Sequence, residues 1–179
     1  MEAIGLWWIG EREESPGTME HVRLHVARAL ALPALVLEGP ERPTGTLDPR
    51  RQQHSSARIL EWLLRARPEG RVLGVTDVDL FIPVLTFVFG EAQLGGRAAV
   101  VSTARLAEGA PRDPRVRVER LAKEAVHELG HALGLTHCPD IVCAMSRSAS
   151  VRDVDRKAGV LCRDCRSRLR DSTSGAEGA

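Results

Sequence analysis

One stretch of the chain combines residue types that can hold a metal ion and move a proton. Residues 127–137 read HELGHALGLTH, which matches the pattern H-E-x-x-H-x-x-G-x-x-H. If its first part is helical, His127 and His131 are one turn apart, so both imidazoles project from the same face. Glu128 follows the first histidine directly and would lie within reach of a water molecule on a metal held by that face.

The residues after this helix complete the predicted metal site. Gly134 can adopt the positive φ that ends a helix, and the chain can then turn so that His137 becomes a third ligand. Three histidines leave a tetrahedral zinc ion one open position, which a catalytic zinc requires. Met145 is predicted to form an apolar floor beneath the histidines. In this interpretation Glu128 takes the proton of the attacking water and later delivers it to the leaving group.

Four cysteines follow the histidines in two short groups, C-x4-C and C-x2-C. Cys138, Cys143, Cys162 and Cys165 therefore match a closed tetrahedral zinc site with four thiolate ligands. Two disulfides or a redox C-x-x-C pair are the alternatives. They are disfavoured because no export signal is visible and Cys162-Arg163-Asp164-Cys165 lacks the strand–helix context of a redox motif. We expect this second zinc to be structural and to fix the direction of His137.

The combination resembles the metzincin metallopeptidases, which share three histidines, the turn glycine and a later methionine. It is more closely similar to the archaemetzincins, also called archaelysins. That resemblance rests on Cys138 beside the third histidine, on Cys143-Ala144-Met145 and on the final C-x2-C pair. Three upstream segments are also similar to recurrent segments of the family, namely residues 74–80, 87–92 and 101–106.

The resemblance implies a metzincin-like α/β fold with a mixed sheet, packed helices, an active-site helix and a small C-terminal subdomain that is held together by a zinc ion. It implies a zinc metalloprotease that hydrolyses peptide bonds in a peptide or protein substrate. Two zinc ions per chain are expected, one catalytic and one structural. The alternative is a zinc-containing protein that binds peptides or a partner protein with little or no turnover. The choice between endopeptidase and aminopeptidase stays open.

Composition limits the partners of the protein. The 25 Lys and Arg residues nearly balance the 24 Asp and Glu residues, giving a formal net charge of +1. This balance argues against nucleic acid or an anionic membrane as the main partner. The longest apolar run, Leu80 to Phe89, is broken by Pro83 and is too short to span a bilayer. We expect a monomer in the cytoplasm.

Hydrophobic patterns predict an alternation of strands and helices in the first half of the chain, and hence a largely parallel sheet. The predicted strands are residues 3–9, 34–37 and 71–76, and the predicted helices are residues 18–31 and 51–67. Residues 85–89 and 98–102 are then expected to pair, with one of them antiparallel to the rest. The resemblance places the antiparallel strand at the edge bordering the substrate cleft.

The active-site helix is predicted to begin at Asp113-Pro114, an N-cap aspartate followed by proline, and to run to about Leu133. We accordingly divide the chain into an N-terminal α/β subdomain, a C-terminal subdomain with the third histidine and the cysteines, and a disordered polar tail. Their bounds are residues 1–134, 135–170 and 171–179.

Two further groups of polar residues are predicted to have structural rather than functional roles. His21 and His25 are also at i and i+4, but they flank the apolar stripe of the first helix and are predicted to be surface residues. Asp77 and Asp79 follow a predicted strand, where aspartate commonly stabilises a turn.

Overall fold

A computed structural model describes residues 3–11, 13, 15–39, 43–67, 69–109 and 113–174. Its strands are β1 (Ile4–Trp8), β2 (Ala34–Leu37), β3 (Leu47–Asp48), β4 (Gln53–Ser55), β5 (Arg71–Thr76), β6 (Leu80–Phe81), β7 (Gly90–Ala92) and β8 (Ala98–Ser102). Its helices are α1 (Thr18–Leu30), α2 (Ser56–Ala66), α3 (Pro114–Ala132), α4 (Val151–Arg156) and α5 (Arg163–Ser174).

The main sheet has five strands in the order β2-β1-β5-β8-β7. Four of them are parallel, and β7 runs antiparallel to β8 at one edge. The sheet is therefore mixed, with its antiparallel strand at the edge, and the predicted fold class is confirmed. The central strands are nearly continuous apolar runs because parallel strands are covered on both faces.

Helices cover both faces of this sheet. Alternate residues of β1 point to opposite sides, so Ile4 and Leu6 join a core with α1 and α3, whereas Trp7 packs with α2. Burial of apolar surface on each face contributes roughly 25 cal/mol per Å² removed from water. The active-site helix α3 thus packs on one face of a sheet whose central strands are buried.

The structure corrects three of the sequence predictions. Residues 85–89 are not a strand, because the edge strand is β7 at Gly90–Ala92. Helix α2 begins at Ser56 rather than at residue 51, and residues 53–55 instead form β4 in a second sheet with β3 and β6 that the sequence analysis missed. The polar tail was expected to be disordered from residue 171, but α5 continues to Ser174. Residues 175–179 lie outside the described part of the chain.

The chain beyond α3 packs on the same apolar core as the main sheet. Leu135, Met145, Val154 and Leu169 are all buried in the cluster that also contains residues of α1 and α3. The division at residues 134 and 135 stays a prediction. Within the described ranges, no helix is both long and apolar enough to cross a membrane.

Candidate active site

Helix α3 begins and ends as its sequence requires. The Asp113 carboxylate accepts a hydrogen bond from the Arg115 backbone N–H at 2.9 Å, which caps a helix whose first residue is a proline. At the other end Gly134 has a φ of 92°, a conformation that glycine adopts without strain. The N–H of Leu135 then bonds to the Gly130 carbonyl at 2.9 Å, and the chain turns back toward the helix.

The three predicted histidines come together at this turn. His127 and His131 lie on one face of α3 with their Nε2 atoms 3.1 Å apart. The ring of His137 lies 5.4 Å from that of His127 and 4.8 Å from that of His131, measured between centroids. One nitrogen of each ring lies within 4.8 Å of the others. The sequence prediction of a histidine cluster agrees with this arrangement.

Backbone carbonyls fix the tautomers of the two helical histidines. The Nδ1 of His127 lies 2.8 Å from the Ala144 carbonyl oxygen, and the Nδ1 of His131 lies 2.7 Å from that of Leu135. A carbonyl can only accept, so each Nδ1 carries the proton and each Nε2 presents a lone pair. Two lone pairs facing each other at 3.1 Å repel unless a cation lies between them. Tetrahedral zinc places its nitrogen ligands about 3.3 Å apart, so this donor set fits zinc.

The surroundings keep these imidazoles neutral. Burial lowers the pKa of His127 well below its usual value, and the nearby Lys157 ammonium lowers it further. Burial is also the main cause of the lowered pKa values of His131 and His137. Neutral imidazole is the form that binds a metal, so His127 and His131 can accept a cation without first losing protons.

The third histidine carries a contact that its two neighbours lack. The Arg147 side chain donates a hydrogen bond from Nε to the Nδ1 of His137 at 3.1 Å. This bond requires a lone pair on Nδ1. A histidine that binds a metal through Nε2 carries its proton on Nδ1, and a histidine that binds a metal through Nδ1 uses that lone pair for the metal, so in neither case can Nδ1 accept from Arg147. Metal binding by His137 therefore requires Arg147 to release this nitrogen.

Glu128 lies next to the histidines, under the edge strand. It lines the cleft together with the three rings. A side chain at Gly90 of β7 would stand 2.6 Å from the Cγ of Glu128 and 2.5 Å from the Val100 carbonyl, so glycine lets the strand approach this carboxylate. Burial raises the pKa of Glu128 well above its usual value, and repulsion by the Glu124 carboxylate raises it further. A carboxylate with a raised pKa is a stronger base.

Met145 is fully buried, and glycine at position 130 makes room for it. A Cβ atom at Gly130 would overlap the Met145 sulfur. The carbonyl of Met145 accepts a hydrogen bond from the Cys138 N–H at 2.9 Å, which ties the methionine turn to the chain just after His137.

The four cysteines form a second cluster directly beyond His137. All four are free thiols, and their sulfur atoms lie within 4.8 Å of one another. The sulfurs of Cys138 and Cys162 are 3.8 Å apart, far beyond the roughly 2.05 Å of a disulfide. Four thiolates around zinc stand about 3.8 Å apart, so the donor set fits zinc. Backbone N–H groups of Cys162 and Met145 also point at the Cys143 sulfur, at 3.3 and 3.5 Å.

Sequence reasoning missed an ion pair buried beside the histidines. The Lys157 ammonium lies 2.7 Å from the Glu124 carboxylate and 3.3 Å from the Nδ1 of His127. The Ser148 hydroxyl donates to the same carboxylate at 3.1 Å. Glu124 could have been suspected, because it lies one turn before Glu128 on the helix. The sequence carries no signal that pairs it with Lys157.

A cleft of about 720 Å³ runs along the histidines. The β7 backbone and the preceding apolar segment form one wall, and the loop after the methionine turn forms the other. The wall residues outside the histidine cluster include Leu85, Phe87, Val88, Phe89, Leu94, Glu91, Arg147 and Ser148. Part of this wall is the apolar run that sequence analysis predicted as a strand.

Comparison with known proteins points to one family. Residues 59–171 match the model of peptidase family M54. The chain is 49% identical to an archaemetzincin of Methanopyrus kandleri over 116 residues, which is 64% of this chain and 65% of that protein. It is 48% identical to an archaemetzincin of Archaeoglobus fulgidus over 120 residues, which is 67% of this chain and 71% of that protein.

Solved structures extend the similarity to nearly the whole chain. The archaemetzincin of Methanopyrus kandleri superposes with a TM-score of 0.85 at 37% identity, and the match covers 96% of each chain. A zinc-dependent peptidase of Methanocorpusculum labreanum gives a TM-score of 0.85 at 28% identity over 93% of this chain and 100% of that one. The archaemetzincin of Archaeoglobus fulgidus, crystallised with malonate, gives 0.80 at 36% identity over 93% and 99%.

Proposed function

The chain belongs to peptidase family M54, a family of zinc metallopeptidases, and on this premise we propose that it hydrolyses peptide bonds at His127, His131 and His137, with Glu128 as general base. The proposal rests on one observation. The Nε2 atoms of His127 and His131 lie 3.1 Å apart, each with a lone pair, in a cleft that also contains Glu128. Peptide binding without turnover is not favoured, because it would need neither the open zinc position nor the carboxylate.

In the proposed mechanism the chain orients the reactants and moves one proton. Zinc, when bound, lowers the pKa of a water molecule to about 7 and polarises the substrate carbonyl. The carbonyls of Ala144 and Leu135 hold the first two imidazoles in position through Nδ1. Glu128 takes the proton of the attacking water and delivers it to the leaving amine.

The edge strand supplies the binding surface for an extended peptide. Within the described residues, β7 pairs only with β8, so its other edge offers backbone N–H and C=O groups to the cleft. A substrate strand can complete this ladder, which gives affinity for any peptide backbone. Phe87 and Phe89, whose rings meet edge to face at 5.3 Å, form an apolar wall for substrate side chains.

We propose a second, structural zinc at Cys138, Cys143, Cys162 and Cys165, so that the working protein holds two zinc ions. The sulfur spacing and the N–H groups directed at Cys143 support this site. Thiolate ligands suit a reducing cytoplasm, which is the compartment we propose. The substrate is a peptide or protein rather than nucleic acid or a membrane, and we expect the enzyme to act as a monomer, which light scattering can check.

Glu128→Ala separates catalysis from binding. The variant should keep both zinc ions and the fold, while cleavage of a mixed peptide library falls by about two to four orders of magnitude. His131→Ala should lose one zinc by elemental analysis, and Glu61→Ala, an exposed glutamate on α2, should behave as wild type. Wild-type protein that holds two zinc ions but binds peptides without zinc-dependent cleavage would establish the binding function instead.

A further inference from the structure

Three side chains with metal-binding groups lie together outside the active site. His21 and His25 belong to α1, and Glu119 belongs to the first half of α3. One donor atom from each lies within 4.8 Å of the other two. None of the described residues that line the cleft belongs to this group. Only the two histidines are close in sequence, because the carboxylate comes from a helix far along the chain.

The donors are arranged for one shared cation. The Nε2 of His21 lies 3.0 Å from a carboxylate oxygen of Glu119, and the two imidazole rings are nearly parallel, with 26° between their planes. The Nε2 of His25 lies 2.8 Å from the Gly159 carbonyl. That carbonyl accepts, so Nε2 carries the proton and the Nδ1 of His25 keeps its lone pair.

A simple ion pair explains only part of this arrangement. His21 and Glu119 are 43% and 52% exposed, so their pairing alone contributes little to stability. An ion pair between His21 and Glu119 also does not explain why His25 lies beside them. The neighbouring Lys123 ammonium is engaged by the carbonyls of Val154 and Asp155, so this cation is held elsewhere.

The groove beside the cluster leaves room for further ligands. It is formed by the loop before α1 and the start of α3, and it is lined by Ser15, Pro16, Gly17, Thr18, Pro114 and Arg115 besides His21 and Glu119. Water molecules in this groove can complete the coordination of an ion held by three side chains.

We propose that His21, His25 and Glu119 form a third metal site, for a divalent first-row cation that accepts imidazole ligands, such as Zn²⁺, Ni²⁺ or Cu²⁺. Zinc requires donor atoms about 3.3 Å apart. The His21 Nε2 and the Glu119 oxygen are 3.0 Å apart, and a donor atom of His25 lies within 4.8 Å of both, so the three donors need only small shifts to bind one ion. The bound ion joins α1 to α3, the helix that carries the catalytic histidines. It stabilises the folded protein because it binds the folded form more tightly than the unfolded chain, in which the two helices are not held together.

The test is a zinc titration of protein that already holds two equivalents. Isothermal titration should detect a third saturable equivalent in the wild type, and the thermal unfolding midpoint should rise with added Zn²⁺. His21→Asn and Glu119→Gln should each weaken the third equivalent at least about tenfold, since even the loss of an indirect partner costs that much. The matched control is Glu20→Gln, an exposed carboxylate adjacent to His21 in sequence that is not part of the cluster, and it should titrate as wild type.

Two results would overturn this site. One is a wild-type protein that takes up no third equivalent of Zn²⁺ or, in a repeat titration, of Ni²⁺. The other is a third equivalent that binds with unchanged affinity to both His21→Asn and Glu119→Gln, which would place it elsewhere on the protein. Both variants change exposed side chains, so circular dichroism should show an intact fold in either case.

Discussion

The Lys157 ammonium lies 2.7 Å from the Glu124 carboxylate, and both side chains are almost completely buried, at 0% and 2% exposure. The pair links the residue that follows α4 to the middle of α3, directly beside the Nδ1 of His127. It therefore fixes the C-terminal part of the chain against the helix that carries the first two histidines. A buried pair of this kind is costly to break, because the remaining charge has no partner.

Lys157→Met should destabilise the protein by about 3–5 kcal/mol, since it leaves Glu124 charged and buried. The double variant Lys157→Met with Glu124→Leu should regain much of that loss, because neither charge remains. Chemical denaturation of zinc-loaded protein measures both. Lys123→Met removes an ammonium that donates to backbone carbonyls and serves as the control. Equal stability of the single and double variants would contradict the coupling.

Gly130→Ala should destabilise the protein by about 1–3 kcal/mol through overpacking against Met145, although alanine is the better helix former. The sign should reverse in a Met145→Ala background, where the added methyl group has space and the helical preference of about 1 kcal/mol is recovered. A double-mutant cycle measured by thermal unfolding gives both values. If Gly130→Ala costs the same in both backgrounds, the methionine does not fill this space.

Cys162→Ser should release the proposed structural zinc and loosen residues 135–170, because metal binding and local folding are coupled. Zinc content should fall by one equivalent, and hydrogen exchange should quicken after Gly134 while the main sheet stays protected. Activity should fall indirectly, since Cys138 adjoins the third histidine ligand. Unchanged protease sensitivity of residues 135–170 would show that the cysteines have no structural role.

Asp155→Asn should lower the free energy of unfolding at neutral pH but not in acid. Both oxygens of Asp155 accept from the buried Arg120 guanidinium, at 2.7 and 2.8 Å, and these bonds lower the pKa of the carboxyl. The pKa of this carboxyl is lower in the folded protein than in the unfolded chain, where it is about 3.9. The ion pair therefore stabilises the folded protein at pH values above about 3.9, and this stabilisation is lost as the pH falls through the pKa of the folded state. We expect a loss of about 1 kcal/mol at pH 7, since the carboxylate is half exposed.

The measurement for this pair is the free energy of unfolding of wild type and Asp155→Asn at a series of pH values from about 7 to below about 4, which spans the titration of the carboxyl. The difference should shrink toward zero in acid, where both side chains are neutral. Asp171→Asn, at an exposed aspartate on α5, should show no comparable difference at neutral pH. A difference between wild type and Asp155→Asn that stays constant across the series would refute the assignment.

Local spacing explains which parts of the site were predictable. His127 and His131 share a helix face by periodicity alone, Gly134 lies close in sequence to His131 and His137, and the cysteines form two groups with short internal spacing. Glu124 and Lys157 meet only because α3 and the end of α4 pack together, which no local pattern encodes. Residues 85–89 were predicted to form the edge strand because most of them are apolar. In the structure these residues form the apolar wall of the cleft, and the edge strand begins at Gly90, where only glycine lets the backbone approach Glu128.

The order of pairing in the main sheet has a consequence for how the protein folds. The first strand lies between β2 and β5, and its Ile4 pairs with Arg71, so the centre of the sheet closes only by bringing together segments that are far apart in the sequence. The ligands of both predicted zinc ions, in contrast, lie within residues 127–165. Long-range closure is slow and local closure is fast. All strands of the main sheet are made before these ligands emerge, but the sheet must close over longer separations along the chain than the metal ligands do.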